Sequence, residues 1–121
     1  MSTILIADDN EHNRYIARFL LEDAGYEVSQ VENGAEAVSA ASDTDFDLIL
    51  MDIQMPVMDG IEATKQIKEV KPSVPVVALT AKAMQGDREV ILEAGCDGYI
   101  SKPFEVDEFV SEVENYINGN K

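Results

Sequence analysis

The chain has 121 residues, 45% hydrophobic and 27% charged, a size and composition suited to one domain spanning residues 1–121 around a single core. Twenty-four acidic residues against nine basic ones give a formal charge of -15, a field that repels phosphate backbones and anionic headgroups and argues against direct nucleic-acid or membrane binding. No stretch approaches the ~18 apolar residues of a membrane span, the start lacks a basic n-region, and Cys96, the lone cysteine, leaves no internal disulfide. A cytoplasmic, reduced setting and a monomer are the expectations, with Cys96 a small half-buried residue after a helix end.

In chain order, Thr3 to Ala7 predicts a first strand, followed by a helix from near Glu11. Asp8 or Asp9 is a candidate N-cap for that helix. Glu27 to Val31 is more polar and reads as an edge strand, while Ile4 to Ala7, Leu48 to Met51 and Val76 to Leu79, the last within a strand expected from Val74 to Thr80, are continuously apolar, as central parallel strands covered on both faces require. Gly98 to Ser101 gives a fifth strand. Each strand precedes a helix-like stretch, so the pattern is βα repeated.

Punctuation fits this frame. Asn33 and Asp59 precede Gly34 and Gly60 as N-caps, and Gly25 and Gly95 follow helical stretches where a left-handed residue is wanted. Val106, Phe109, Val110, Val113 and Ile117 recur at helical spacing, with Asp107, Glu108, Glu112 and Glu114 between them, which predicts an amphipathic last helix. Right-handed crossovers then place helices on both faces of one parallel sheet, an α/β doubly wound fold whose usual order is 2-1-3-4-5.

In such sheets the binding crevice lies at the carboxyl ends of the strands. The residues there are Asp8 and Asp9 after the first strand, Asp52 after the third, Thr80 at the end of the fourth and Lys102 after the fifth. Each alone has a plain structural reading as a cap, a turn residue or a solvated charge. Together, three carboxylates at neighbouring strand ends repel one another unless a cation sits among them. Hard oxygen ligands suit Mg²⁺, which takes one or two carboxylates and fills its octahedron with water and phosphate oxygens. Asp52 can serve as a nucleophile toward phosphorus, with the Lys102 cation and the Thr80 hydroxyl holding the other phosphoryl oxygens.

Asp8-Asp9, the run from Met51 to Gly60, Ala78-Leu79-Thr80-Ala81 and Ser101-Lys102-Pro103-Phe104 together resemble the signature segments of two-component response-regulator receiver domains, over the whole chain. The resemblance implies a flavodoxin-like three-layer sandwich, the chemotaxis-regulator fold, with Asp52 as phosphoacceptor. It implies that Asp9, Asp52 and the backbone carbonyl of Gln54 bind Mg²⁺ directly, that Asp8 assists through water, and that Lys102 pairs with the phosphoryl group beside a cis Lys102-Pro103 peptide. It further implies a switch made by Thr80 and Tyr99, and phosphate lifetime tuned by Gln54 and Lys82.

The implied donor is a histidine kinase or a histidine phosphotransfer protein. The implied output is a protein docked on the face of the fourth helix, fifth strand and fifth helix, from about Met84 to Ile117, because the pattern consumes the chain up to its last helix. Met55, Met58 and Met84 read as loop packing or as soft partner contacts, and His12 as a surface residue, since the family's phosphohistidine belongs to the partner.

An aspartyl-nucleophile phosphohydrolase fits less well, with Gln54 where such enzymes often carry a second acid and no cap segment. A nucleotide or flavin binder would need phosphate-cradling donors in the first loop, where Asp8 to Glu11 offers carboxylates. A receiver excised from a hybrid kinase and a degenerate, phosphorylation-independent receiver are the alternatives within the family, with Met1 favouring a stand-alone chain.

Overall fold

The apolar runs become β1 (Thr3–Ala7), β3 (Leu48–Asp52) and β4 (Val76–Thr80), and β2 (Glu27–Val31) and β5 (Gly98–Ser101) flank them. A computed structural model of the chain describes residues 2–53, 58–80, 89, 91–101 and 106–117. All strand pairs are parallel, and the order is β2-β1-β3-β4-β5, as expected for a doubly wound sheet. Helices α1 (Glu11–Asp23), α2 (Gly34–Asp43), α3 (Gly60–Val70) and a C-terminal helix (Val106–Ile117) cover it. Among the described residues no helix is long and apolar enough to cross a membrane.

β3 and β4 are buried end to end, and β1 from Ile4 onward, because alternate residues feed two different cores. Leu5, Ala7, Ile49, Met51, Val76 and Ala78 pack against Ala37 and Ala41 of α2 and Ala63 and Ile67 of α3. Ile4, Ile6, Leu48, Leu50, Val77 and Leu79 pack against Ala17 and Leu21 of α1 and Phe109 and Val113 of the C-terminal helix. Full burial of one such Leu, Ile or Phe contributes about 1.5–3 kcal/mol. β2 lies at an edge with Glu27, Ser29 and Gln30 exposed, the polar border expected of it.

Strand boundaries move slightly from the sequence expectation. β3 runs on through Asp52, and β4 begins at Val76, because Pro75 has no N–H and Val74 closes a turn onto Lys71 O at 3.2 Å. At the amino ends of the strands, the Asp47 carboxylate accepts the Thr3 N–H at 2.8 Å. The Asp97 carboxylate accepts the Val76 N–H at 2.9 Å and the Lys68 ammonium, also at 2.9 Å.

Asn33 and Asp59 cap α2 and α3 by accepting the Glu36 and Glu62 N–H groups at 2.8 and 2.9 Å. Gly25 and Gly95 take φ of 99° and 106°, the left-handed C-terminal role foreseen for them. The cap of α1 differs from expectation: Asn10 accepts the Asn13 N–H at 3.0 Å, and Asp8 instead accepts the N–H of Asn10 at 2.9 Å. Cys96 is buried rather than half-buried, its thiol donating to Thr64 Oγ1 at 3.7 Å.

Candidate functional site

Parallel register decides which side chains meet at the carboxyl edge. Ala7 pairs with Met51, so Asp8, the next residue along, arrives beside Asp52. Asp52 in turn pairs with Leu79, which sets Thr80 one step further on the adjoining strand. Asp8 and Asp52 are 1% and 6% exposed and Thr80 is 9% exposed, whereas Asp9 is open to solvent. One carboxylate oxygen from each of Asp8, Asp9 and Asp52 lies within 4.8 Å of the others.

Like charges this close are held there by the fold around them. Asp8 is fixed by its bond to the Asn10 N–H, and Arg14 Nη1 donates to the Asp8 main-chain carbonyl at 2.6 Å. The backbone after Asp52 is fixed by Ile53, whose N–H reaches Leu79 O at 3.2 Å and whose carbonyl accepts the Gly60 N–H at 2.9 Å. Gly60 is needed there, since a Cβ would lie 2.1 Å from the Asp52 carbonyl oxygen. Gly34, at the start of α2, meets Met58 O in the same way, with a Cβ at 2.2 Å.

Three hard oxygen donors, two of them buried and one facing solvent, form a partial shell that a divalent cation completes with water and a ligand's oxygens. The donor set therefore fits Mg²⁺. His12 is exposed on the first turn of α1 and does not belong to the acidic group.

Tyr99, on β5, pairs with Ala78 and is partly buried against the core shared with α2 and α3. Gln54, Met55, Lys82, Met84, Lys102 and Pro103 lie outside the described residues. Sequence reasoning missed Asn10, Arg14 and Gly60. Asn10 stands in a row of three residues able to cap, and Gly60 precedes an apolar-periodic run, so both had a local signal; Arg14 had none.

Fold and site together define a doubly wound α/β protein with an acidic cluster, of a kind that can hold a cation, in the crevice where its strand order reverses. The family model for the response regulator receiver domain matches residues 4–114. The polar-differentiation response regulator DivK of Brucella anthropi is 44% identical over 117 residues, 95% of each chain. Among solved structures, the receiver domain of the sensor histidine kinase PA1611 from Pseudomonas aeruginosa, with a magnesium ion coordinated in its active-site cleft, is 39% identical. It superposes with a TM-score of 0.90 over 97% of this chain and 98% of that one. The chemotaxis protein CheY4 of Vibrio cholerae is 30% identical, with a TM-score of 0.91 over 96% and 98% of the two chains. The chain belongs to the response regulator receiver domain family and works in two-component phosphorelay signalling.

Proposed function

We propose that Asp52 accepts a phosphoryl group from a histidine kinase or a histidine phosphotransfer protein, and that the aspartyl phosphate changes which proteins this chain binds. The observation that carries the proposal is the convergence of Asp8, Asp9 and Asp52 within 4.8 Å at the strand ends next to Thr80. In the transfer, a carboxylate oxygen of Asp52 forms the new O–P bond as the P–N bond of the donor phosphohistidine breaks, and the imidazole leaves with the electron pair. Asp52 sits at a strand end whose backbone is locked by Ile53 and Gly60, so the attacking oxygen is positioned before the donor arrives.

Mg²⁺ would be held by Asp9, Asp52 and the Gln54 carbonyl, with Asp8 through water, and would supply positive charge to the phosphoryl oxygens. Lys102 is the proposed second cation and Thr80 the proposed hydroxyl donor to those oxygens. Thr80 and Tyr99 are the proposed switch pair, and Gln54 and Lys82 the residues that set the phosphate's lifetime. The chemistry is confined to the domain's own phosphorylation and hydrolysis, in a cytoplasmic, monomeric receiver.

Donor proteins find apolar contact on α1, which leaves the acidic loop carrying Tyr15 and Phe19, 64% and 59% exposed and stacked with ring centroids 6.5 Å apart. Output is assigned to the β5 and C-terminal-helix face together with the segment from about Met84. The net charge of -15 favours partners with basic rims there.

Intact mass after incubation with a small acyl phosphate tests the proposal. One base-labile phosphoryl group is expected with Mg²⁺, and none without it or in Asp52→Asn. Undiminished incorporation in Asp52→Asn would overturn the assignment.

A further inference from the structure

The outer edge of β5 is closed by a residue from the C-terminal helix. Ile49 N–H donates to Pro75 O at 2.9 Å and Ile53 N–H to Leu79 O at 3.2 Å, so the odd-numbered carbonyls of β4 and the residue before it face β3. The even-numbered groups of β4 therefore face β5. With Ala78 opposite Tyr99 in parallel register, Ala78 bonds to the flanking residues Gly98 and Ile100, and the main-chain N–H of Tyr99 points away from the sheet. An outward N–H on an edge strand is open to strand addition or to a side-chain acceptor.

Tyr116 supplies that acceptor. Its side chain is hydrogen-bonded to the Tyr99 main chain, and its ring crosses β5 at Gly98, where a Cβ would stand 2.0 Å from the phenol oxygen and 2.5 Å from Cζ. Only the absence of a side chain at residue 98 leaves room for the ring in this pose. The two tyrosines belong to opposite layers: Tyr99 packs against the core under α2 and α3, and Tyr116 against the core under α1 and the C-terminal helix. The bond around the sheet edge joins the two layers at the residue proposed as the switch.

We infer that Tyr116 is a positioning residue, a clamp that holds the outer backbone of β5 at Tyr99 and carries any displacement of Tyr99 into the C-terminal helix. This rests on the phosphoryl-acceptor reading for what displaces Tyr99, but the clamp itself does not. A helix tied to the strand by one phenol hydroxyl gives partners on that face a surface that follows the site.

Amide hydrogen exchange and amide resonances of the full chain test this, in wild type, Tyr116→Phe and Gly98→Ala. Tyr116→Phe keeps the ring and removes the acceptor; Gly98→Ala keeps the hydroxyl and displaces the ring. In both, exchange at Tyr99 should rise roughly tenfold while Ile100, bonded to β4, stays protected. When beryllofluoride and Mg²⁺ are added as the phosphoryl mimic, Tyr99, Val113 and Ile117 should all shift in wild type, whereas in Tyr116→Phe Tyr99 should shift without the two helix residues. Unchanged exchange at Tyr99 in the Phe variant, or an undiminished helix response there, would overturn the clamp. A mimic that moves neither Asp9 nor Asp52 would instead sink the phosphoryl reading, and the exchange rates alone would then decide the clamp.

Discussion

Gly60 stands directly against the carbonyl of Asp52: a methyl at Gly60 would come within 2.1 Å of that oxygen and 2.9 Å of Ile53 Cα. The start of α3 therefore serves as the floor under the proposed acceptor. Gly60→Ala must push the Asp52 backbone out of line, at a cost of about 1–3 kcal/mol. Urea unfolding should report that loss, and acyl-phosphate labelling of Asp52 should slow even where the variant remains folded.

Mg²⁺ should stabilise the folded chain, because the unfolded chain has no converged carboxylates. At a hundredfold excess over its Kd the gain is about 2.7 kcal/mol. Asp9→Asn should remove most of that gain. In metal-free buffer the same variant should be slightly more stable than wild type, since one like-charge pair at this spacing opposes folding by about 1 kcal/mol in water-like surroundings. Thermal melts with Mg²⁺ and with chelator check both signs; an unchanged Mg²⁺ response in Asp9→Asn would remove this residue from the cation site.

Asp97 holds the start of β4 through its single oxygen shared between the Val76 N–H and Lys68 Nζ, which also donates to Val74 O at 2.6 Å. Asp97→Ala strands that N–H and leaves the ammonium with one partner. A loss of about 2 kcal/mol is expected. Asp97→Asn, which keeps an acceptor, should lose less than Asp97→Ala, and equal losses in urea titrations would rule out the hydrogen bond as the cause.

Burial pushes the Cys96 thiol up from its ordinary value; its bond to Thr64 opposes the rise, Asp97 adds to it and Lys68 opposes it. A thiol whose folded pKa is raised contributes stability that is complete below the unfolded value, about 8.5, and is lost as pH rises through the folded value. The unfolding free energy should therefore fall through the alkaline range above about pH 8.5, and Cys96→Ala should flatten that fall. Alkylation of the native thiol at pH 8 should be at least ~100-fold slower than in urea. Fast native alkylation would contradict the burial.

The strands were legible because burial on both faces demands unbroken apolar runs, and Leu48 to Met51 has no other economical use in a short α/β domain. The caps at Asn33 and Asp59 were legible because one side chain and one N–H three residues on make the whole interaction. The cap of α1 was not, since Asp8, Asp9 and Asn10 can each do it, and the choice falls to Asn10 only once Asp8 is drawn toward Asp52 by the pairing of β1 with β3. Arg14 reaches the Asp8 carbonyl from the second turn of a helix, a contact fixed by three-dimensional placement rather than by spacing. The start of β4 was misjudged because Val74 and Pro75 are apolar yet finish a turn. That Asp8, Asp9 and Asp52 share one edge followed from strand order, but their approach to within 4.8 Å also needs the register of β1 on β3, which no local pattern announces.

A sheet whose central strands are apolar on both faces has no hydrophobic reason to prefer one register over its neighbour, since a slip by one residue merely exchanges two greasy layers. The pins are polar and lie at the far end: Asp47 on the Thr3 N–H between β1 and β3, and Asp97 on the Val76 N–H between β4 and β5. Each fixes how far one strand slides along the next, and that distance decides whether Asp8 stands level with Asp52 and whether Ser101 ends level with Thr80. The acids at the foot of the sheet thus aim the groups at its head, although the two sets stand a full strand length apart.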